Sequence, residues 1–127
     1  MSAATLDILY VDDSAAQLDG FRQSLAGGPY RVRTANSVRE AEMRMAAERP
    51  DLVVIDYHMP EMMGDRALTV LKRSGADSTR YYLYTSDPHA FRRHREMGFD
   101  GVLMLKGKSS VRSQIDAIAR AMVQFRG

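Results

Sequence analysis

Asp51-Leu52-Val53-Val54-Ile55-Asp56-Tyr57-His58-Met59-Pro60-Glu61-Met62-Met63-Gly64 is the stretch on which the reading of this chain turns. Leu52 to Ile55 form an apolar run too short for a helix and bounded by polar residues, the pattern of a strand buried on both faces of a parallel sheet. Pro60 cannot donate to a ladder and Gly64 permits a sharp turn, so the strand ends at Asp56. That carboxylate is left at the C-terminal edge of the sheet, where open α/β folds bind their ligands.

A second apolar run, Leu6, Ile8, Leu9, Tyr10 and Val11, ends in the consecutive acids Asp12 and Asp13. Side by side, the two strands bring three carboxylates to one edge. Two such charges about 4 Å apart repel by roughly 4 kcal/mol at an effective dielectric near 20, so the cluster calls for a cation. Mg²⁺ suits it, because this hard ion takes one or two carboxylates and keeps positions for water and phosphate oxygens. Taken alone, Asp56 reads equally well as a carboxylate that ends a strand or caps a turn.

Outward from these strands, the pattern alternates. Asp13 or Ser14 caps a helix carrying Ala15, Leu18, Phe21 and Leu25 on one face, which closes at Gly27-Gly28-Pro29. Tyr30 to Thr34 alternates with Arg31 and Arg33, as an edge strand does. Ser37 caps a second helix with Val38, Ala41, Met45 and Ala46 inward, closed before Pro50. Beyond the central strand come a short helix with Ala67, Leu68, Val70 and Leu71, a strand from Arg80 to Thr85, and a helix from Asp87-Pro88 to Gly98. A strand from Gly101 to Leu105 and a helix starting at Ser109 or Ser110, with Val111, Ile115, Ile118 and Met122 on one face, complete the chain. The alternation predicts an α/β fold, a doubly wound five-stranded parallel sheet with five helices and right-handed crossovers. The expected strand order is 2-1-3-4-5, whose switch point lies between strands one and three, beside the acids.

The 127 residues suffice for one domain, 1–127, and leave no room in this chain for a second globular unit. Apolar residues at 45% and charged ones at 27% are ordinary for a globular protein. No cysteine is present, which excludes a disulfide framework, a thiolate metal site and a catalytic thiol. No apolar run approaches the roughly 20 residues of a membrane helix, and the start lacks a basic, apolar leader; the cytoplasm is the expected location. The net charge of +2 is unevenly placed: Arg92, Arg93, Arg95, Lys106, Lys108, Arg112, Arg120 and Arg126 face only Glu96, Asp100 and Asp116 in residues 92–127. That basic excess is a solvated face or a surface for an acidic partner; direct nucleic-acid binding is not expected, because the charge is not accompanied by an aromatic–basic interleaving pattern.

Asp12-Asp13 after strand one, Asp56-x-x-Met59-Pro60-x-x-x-Gly64 after strand three, Thr85-Ser86 after strand four and Lys106 near the end of strand five together resemble the receiver domain of two-component response regulators. The four motifs stand in the family's order and cover nearly the whole chain, which makes the resemblance specific where any one alone would be weak. It implies a flavodoxin-like fold in which Asp56 accepts a phosphoryl group from a histidine kinase or histidine phosphotransfer domain. It further implies that Asp13, Asp56 and the backbone carbonyl of His58 ligate Mg²⁺, with Asp12 acting mostly through a bound water. Thr85 and Lys106 would contact the phosphoryl oxygens, and His58 and Asp87, each two residues beyond a key position, would tune the lifetime of the phosphoryl group. Helix four, strand five and helix five would form the partner surface, here marked by Arg92, Arg93 and Arg95, for an acidic target or a homodimer. Helix one around Ala15, Gln17 and Leu18 would meet the phosphodonor.

The chain departs from the family in two places. Gly107 stands where proline usually follows the lysine, and the run from Gly98 to Lys106 is one residue longer than usual, which a bulge is expected to absorb. Strand five offers Leu103, or Val102 in the other register, where receivers carry a switching aromatic; Tyr84 or movement of helix four would have to substitute. Three functional readings follow: a phosphoacceptor switch, a pseudoreceiver that binds partners without useful phosphorylation, and a Mg²⁺-dependent phosphohydrolase, for which the chain has no cap segment. Met59, Met62 and Met63 read as gap-filling side chains or as a recognition surface.

Overall fold

The central strand β3 (Leu52–Asp56) lies between β1 (Leu6–Val11) and β4 (Arg80–Thr85), with β2 (Tyr30–Ala35) and β5 (Gly101–Met104) at the edges of one parallel sheet of order 2-1-3-4-5. The structure is a computed structural model and describes residues 5–59, 62–104 and 110–126. The helices α1 (Ala15–Leu25), α2 (Val38–Ala47), α3 (Gly64–Lys72) and α4 (Pro88–Met97) connect successive strands, and α5 (Val111–Arg126) follows β5. The predicted fold class, strand order and helix count are those observed, with the described strand boundaries within a residue of the expected ones.

Two apolar layers explain the unbroken hydrophobicity of β1 and β3. Leu9, Val11, Val53, Ile55 and Leu83 pack with α2 and α3 residues Ala41, Met45, Ala67, Leu68 and Leu71, whereas Ile8, Tyr10, Leu52, Val54, Tyr84 and Leu103 pack with Phe21, Leu25 and Ile115 of α1 and α5. Alternate residues serve opposite layers, as a pleated strand requires. Ala15 and Ala46, expected to face inward, are exposed, since alanine fits an apolar period without needing burial. Met59 is buried and Met62 partly buried in the first layer, which supports gap-filling for those two, whereas Met63 is exposed. The edge strand β2 hides more charge than its alternation suggests: Arg33, 14% exposed, is paired to Asp7 and donates to the carbonyls of Arg44 and Glu48 at the end of α2.

The helix ends follow local chemistry. Ser14 and Ser37 accept the backbone N–H of Gln17 and Glu40, and Asp87 accepts that of His89, each satisfying a donor that the first helical turn leaves open. Gly98 ends α4 at φ 105°, a left-handed conformation that favours glycine. Gly64 is required for a different reason than a turn of unusual φ. Its N–H donates to Tyr57 O at 2.9 Å, and a Cβ there would stand 2.9 Å from Tyr57 Cα and 3.2 Å from Asp56 O. Because both obstacles are backbone, Gly64→Ala is expected to lower stability by about 1–3 kcal/mol, read as a lower urea midpoint at unchanged slope.

Candidate functional site

The acids converge because the sheet is in register. Val11 of β1 pairs with Ile55 of β3, so the residues that follow, Asp12 and Asp56, emerge together at the C-terminal edge. One carboxylate oxygen each from Asp12, Asp13 and Asp56 lies within 4.8 Å of the others. Asp12 is 2% exposed, Asp56 half-buried and Asp13 open to solvent. With Ser14, Gln17, His58, Thr85 and Ser86 they line a cavity of about 270 Å³.

Two buried members of this lining, Asp12 and Thr85, are held by hydrogen bonds. Asp12 Oδ1 accepts the N–H of Ser14 at 3.0 Å and Oδ2 the hydroxyl of Tyr10 at 2.6 Å. Thr85, 1% exposed, accepts the N–H of Asp87 on Oγ1 at 2.9 Å, while Asp87 Oδ1 caps α4 through His89. The threonine is thereby tied to the first turn of that helix. His58 projects from the β3–α3 loop, its side chain 58% exposed, and its Nε2 lies 3.8 Å from Asp87 Oδ2.

The electrostatics express crowding. Burial, then the charge of Asp12 and of Asp13, pushes the Asp56 carboxyl up to about 7, against the opposing backbone N–H groups of His58 and Tyr57. Burial also raises Asp12, partly offset by the bonds from Tyr10 and Ser14. A cation relieves both effects. An all-carboxylate oxygen set at this spacing fits Mg²⁺ by the chemistry of its donors, with Asp12, Asp13 and Asp56 available to hold it.

The structure thus brings together Asp12, Asp13, Asp56, His58, Thr85 and Asp87. Lys106 lies outside the described residues, as do Pro60, Gly107 and Lys108. The β4–β5 register runs unbroken from Tyr82↔Gly101 to Thr85↔Met104, so no bulge occurs within that stretch. Leu103 is fully buried opposite Tyr84. Arg92, Arg93 and Arg95 are exposed on α4, with Arg93 paired to Glu96 and Arg92 bonded to His89. No motif marks Tyr10 as a site residue; the signal for it is its place two residues before Asp12, on the same face of the strand. Tyr84, which the sequence offers only as a stand-in for the missing aromatic, packs against Tyr10.

Comparison with known proteins agrees with this geometry. The response regulator MprA of Mycolicibacterium vanbaalenii is 40% identical over 70 residues, which are 55% of this chain and 30% of that protein. MprA of Mycobacterium leprae is 39% identical over 70 residues, 55% of this chain and 31% of that protein, so the match spans under a third of either relative. Among solved structures, the Vibrio cholerae chemotaxis protein CheY4 superposes with a TM-score of 0.77 at 25% identity, covering 92% of this chain and 98% of that one. The signal receiver domain of a signal transduction histidine kinase from Syntrophus aciditrophicus gives 0.75 at 27% identity, covering 94% and 92%. No helix among the described residues is long and apolar enough to cross a membrane. The family model of the response regulator receiver domain matches residues 8–117, and with this fold and this acidic edge the chain belongs to that family of two-component signalling domains.

Proposed function

We propose that residues 1–127 act as one cytoplasmic phosphoacceptor domain, in which Asp56 takes a phosphoryl group from a histidine kinase or a histidine phosphotransfer domain. The observation that carries this reading is the convergence of Asp12, Asp13 and Asp56 within 4.8 Å at a cavity that Thr85 also lines. An Asp56 carboxylate oxygen attacks phosphorus, the bond from phosphorus to the donor nitrogen breaks, and the electron pair returns to the donor imidazole. Asp12, Asp13, Asp56 and the His58 backbone carbonyl would hold Mg²⁺. When bound, the ion neutralises charge between carboxylates and phosphoryl oxygens. Thr85 supplies its hydroxyl to one phosphoryl oxygen and Lys106 an ammonium to another. Small donors such as acetyl phosphate serve the same attack, and the domain remains a signalling element rather than an enzyme with turnover.

His58 and Asp87 flank the way in for water. Replacing either by alanine is expected to speed loss of the phosphoryl group several-fold, measured as decay of the phosphorylated protein; an unchanged rate removes them from this role.

The output surface is the α4–β5–α5 face. Thr85 Oγ1 is bonded to Asp87 at the start of α4, so movement of that hydroxyl toward a phosphoryl group is transmitted to the helix that carries Arg92, Arg93 and Arg95. The partner is an acidic protein target or a second copy of the domain. Arg92→Glu with Arg93→Glu is expected to weaken target binding several-fold, most at low salt, and to leave phosphorylation intact; unchanged binding isotherms contradict this.

Leu103, buried where the family places a switching aromatic, favours a second reading, a pseudoreceiver that binds partners without useful phosphorylation. Beryllofluoride separates the two: the first requires a Mg²⁺-dependent adduct visible by fluorine NMR, the second none at any Mg²⁺ concentration.

A further inference from the structure

Tyr10 is fully buried in the middle of the sheet, at a strand position covered on both faces, where an apolar side chain would pack as well. Its hydroxyl therefore needs explaining, because a desolvated phenol is costly without a partner. The partner is Asp12 Oδ2 at 2.6 Å, while the other oxygen of Asp12 is held by Ser14 N–H at 3.0 Å. The ring that carries the hydroxyl is itself fixed. It stacks on Phe21 with centroids 4.2 Å apart and planes 16° from parallel, and lies tilted at 5.6 Å from Tyr84. Tyr84 is the register partner of Asp56 and immediately precedes Thr85.

We propose that Tyr10 is a positioning residue for the cation at the acidic edge. Its hydroxyl locks the Asp12 carboxylate so that the lone pairs not taken by Tyr10 and Ser14 remain toward the cavity shared with Asp13 and Asp56. The inference rests on the phosphoacceptor reading of this site. Hydrogen bonds to a carboxylate that serves a metal set its orientation, and their loss lowers metal affinity by about tenfold or more. The aromatic packing around Tyr10 makes that orientation part of the core rather than of a mobile loop.

Tyr10→Phe keeps the ring and its stacking and removes only the hydroxyl. Calorimetric titration with Mg²⁺ alone is expected to show a dissociation constant about tenfold or more above the wild type. At saturating Mg²⁺ the variant still forms the full beryllofluoride adduct. Tyr30→Phe, which loses a hydroxyl bonded to Asp116 at the opposite end of the sheet, leaves Mg²⁺ affinity unchanged. Should Tyr10→Phe fail to fold, wild-type protein labelled with ¹³C at the tyrosine ζ-carbon gives the same answer: the Tyr10 resonance moves on addition of Mg²⁺ and that of Tyr30 does not. Unchanged Mg²⁺ affinity in a folded Tyr10→Phe variant, or a Tyr10 resonance indifferent to Mg²⁺, overturns the inference and leaves the phosphoacceptor reading standing. Wild-type protein that forms no adduct at any Mg²⁺ concentration overturns that reading, and the inference with it.

Discussion

Asp56→Asn is expected to abolish phosphoryl uptake from acetyl phosphate and, in metal-free buffer at pH 8, to raise the stability of the domain. Loss of uptake follows from chemistry: the amide that replaces the carboxylate has the same shape but no anionic oxygen to attack phosphorus. The gain in stability follows from crowding. Three carboxylates whose oxygens lie within 4.8 Å repel one another in a half-buried site, and removing one charge relieves two of the three pairs. A pair at that distance costs roughly 3 kcal/mol at an effective dielectric near 20. Partial protonation of Asp56 already removes some of this, so a net gain of about 1–3 kcal/mol is expected, seen as a higher urea midpoint. A variant that loses uptake but is less stable than the wild type would mean that the three charges do not crowd one another.

Stability of the metal-free wild type is expected to fall as pH rises from about 4 to about 7 and to level off above. Asp56 titrates near 7 in the fold against 3.8 ordinarily, so between these values the folded chain holds a proton that the unfolded chain has lost. The stabilisation is complete below the unfolded value and is lost as the carboxyl ionises in the fold. At about 1.4 kcal/mol per unit, the difference between pH 5 and pH 8 amounts to roughly 2–4 kcal/mol. Asp12, also raised by burial, acts in the same direction. Glu48 and Asp116, held below the usual carboxylate range by Arg31 and by Tyr30 with Arg112, act oppositely only in acid, and solvent screening at these surface pairs makes their effect small. Mg²⁺ favours the ionised trio, so millimolar Mg²⁺ is expected to stabilise strongly at pH 8 and weakly at pH 5. Asp56→Asn should flatten the profile. A urea midpoint that rises from pH 5 to pH 8 in the presence of a chelator contradicts the account.

The fold was legible because two short apolar runs, Leu6 to Val11 and Leu52 to Ile55, each end in acid, and because capping residues and glycines punctuate the rest. Strand order followed from the alternation of strands and helices together with the resemblance. The trio Asp12, Asp13 and Asp56 could be placed at one edge for the same reason: main-chain register decides where a strand ends, and register is written in hydrophobic pattern. What pattern does not carry is the direction of a side chain. The Tyr10 hydroxyl on Asp12, the Thr85 oxygen on the Asp87 N–H and the approach of His58 to Asp87 depend on rotamers and loop geometry, which the periodicity leaves open. The sequence marks Gly64 for a turn, whereas the backbone that crowds its missing Cβ is what requires glycine there. Periodicity turns Ala15 and Ala46 inward, yet both are exposed, because a small apolar residue satisfies a helical period on either face.

The account stands on Asp56 becoming covalently phosphorylated with the help of Asp12 and Asp13. The most direct measurement is mass spectrometry of the domain after incubation with acetyl phosphate, with and without Mg²⁺, followed by borohydride trapping to locate the modified residue. One phosphoryl group per chain, present only with Mg²⁺ and mapped to Asp56, is the predicted result. No modification under any Mg²⁺ concentration, or modification at another residue that persists in Asp56→Asn, would contradict it.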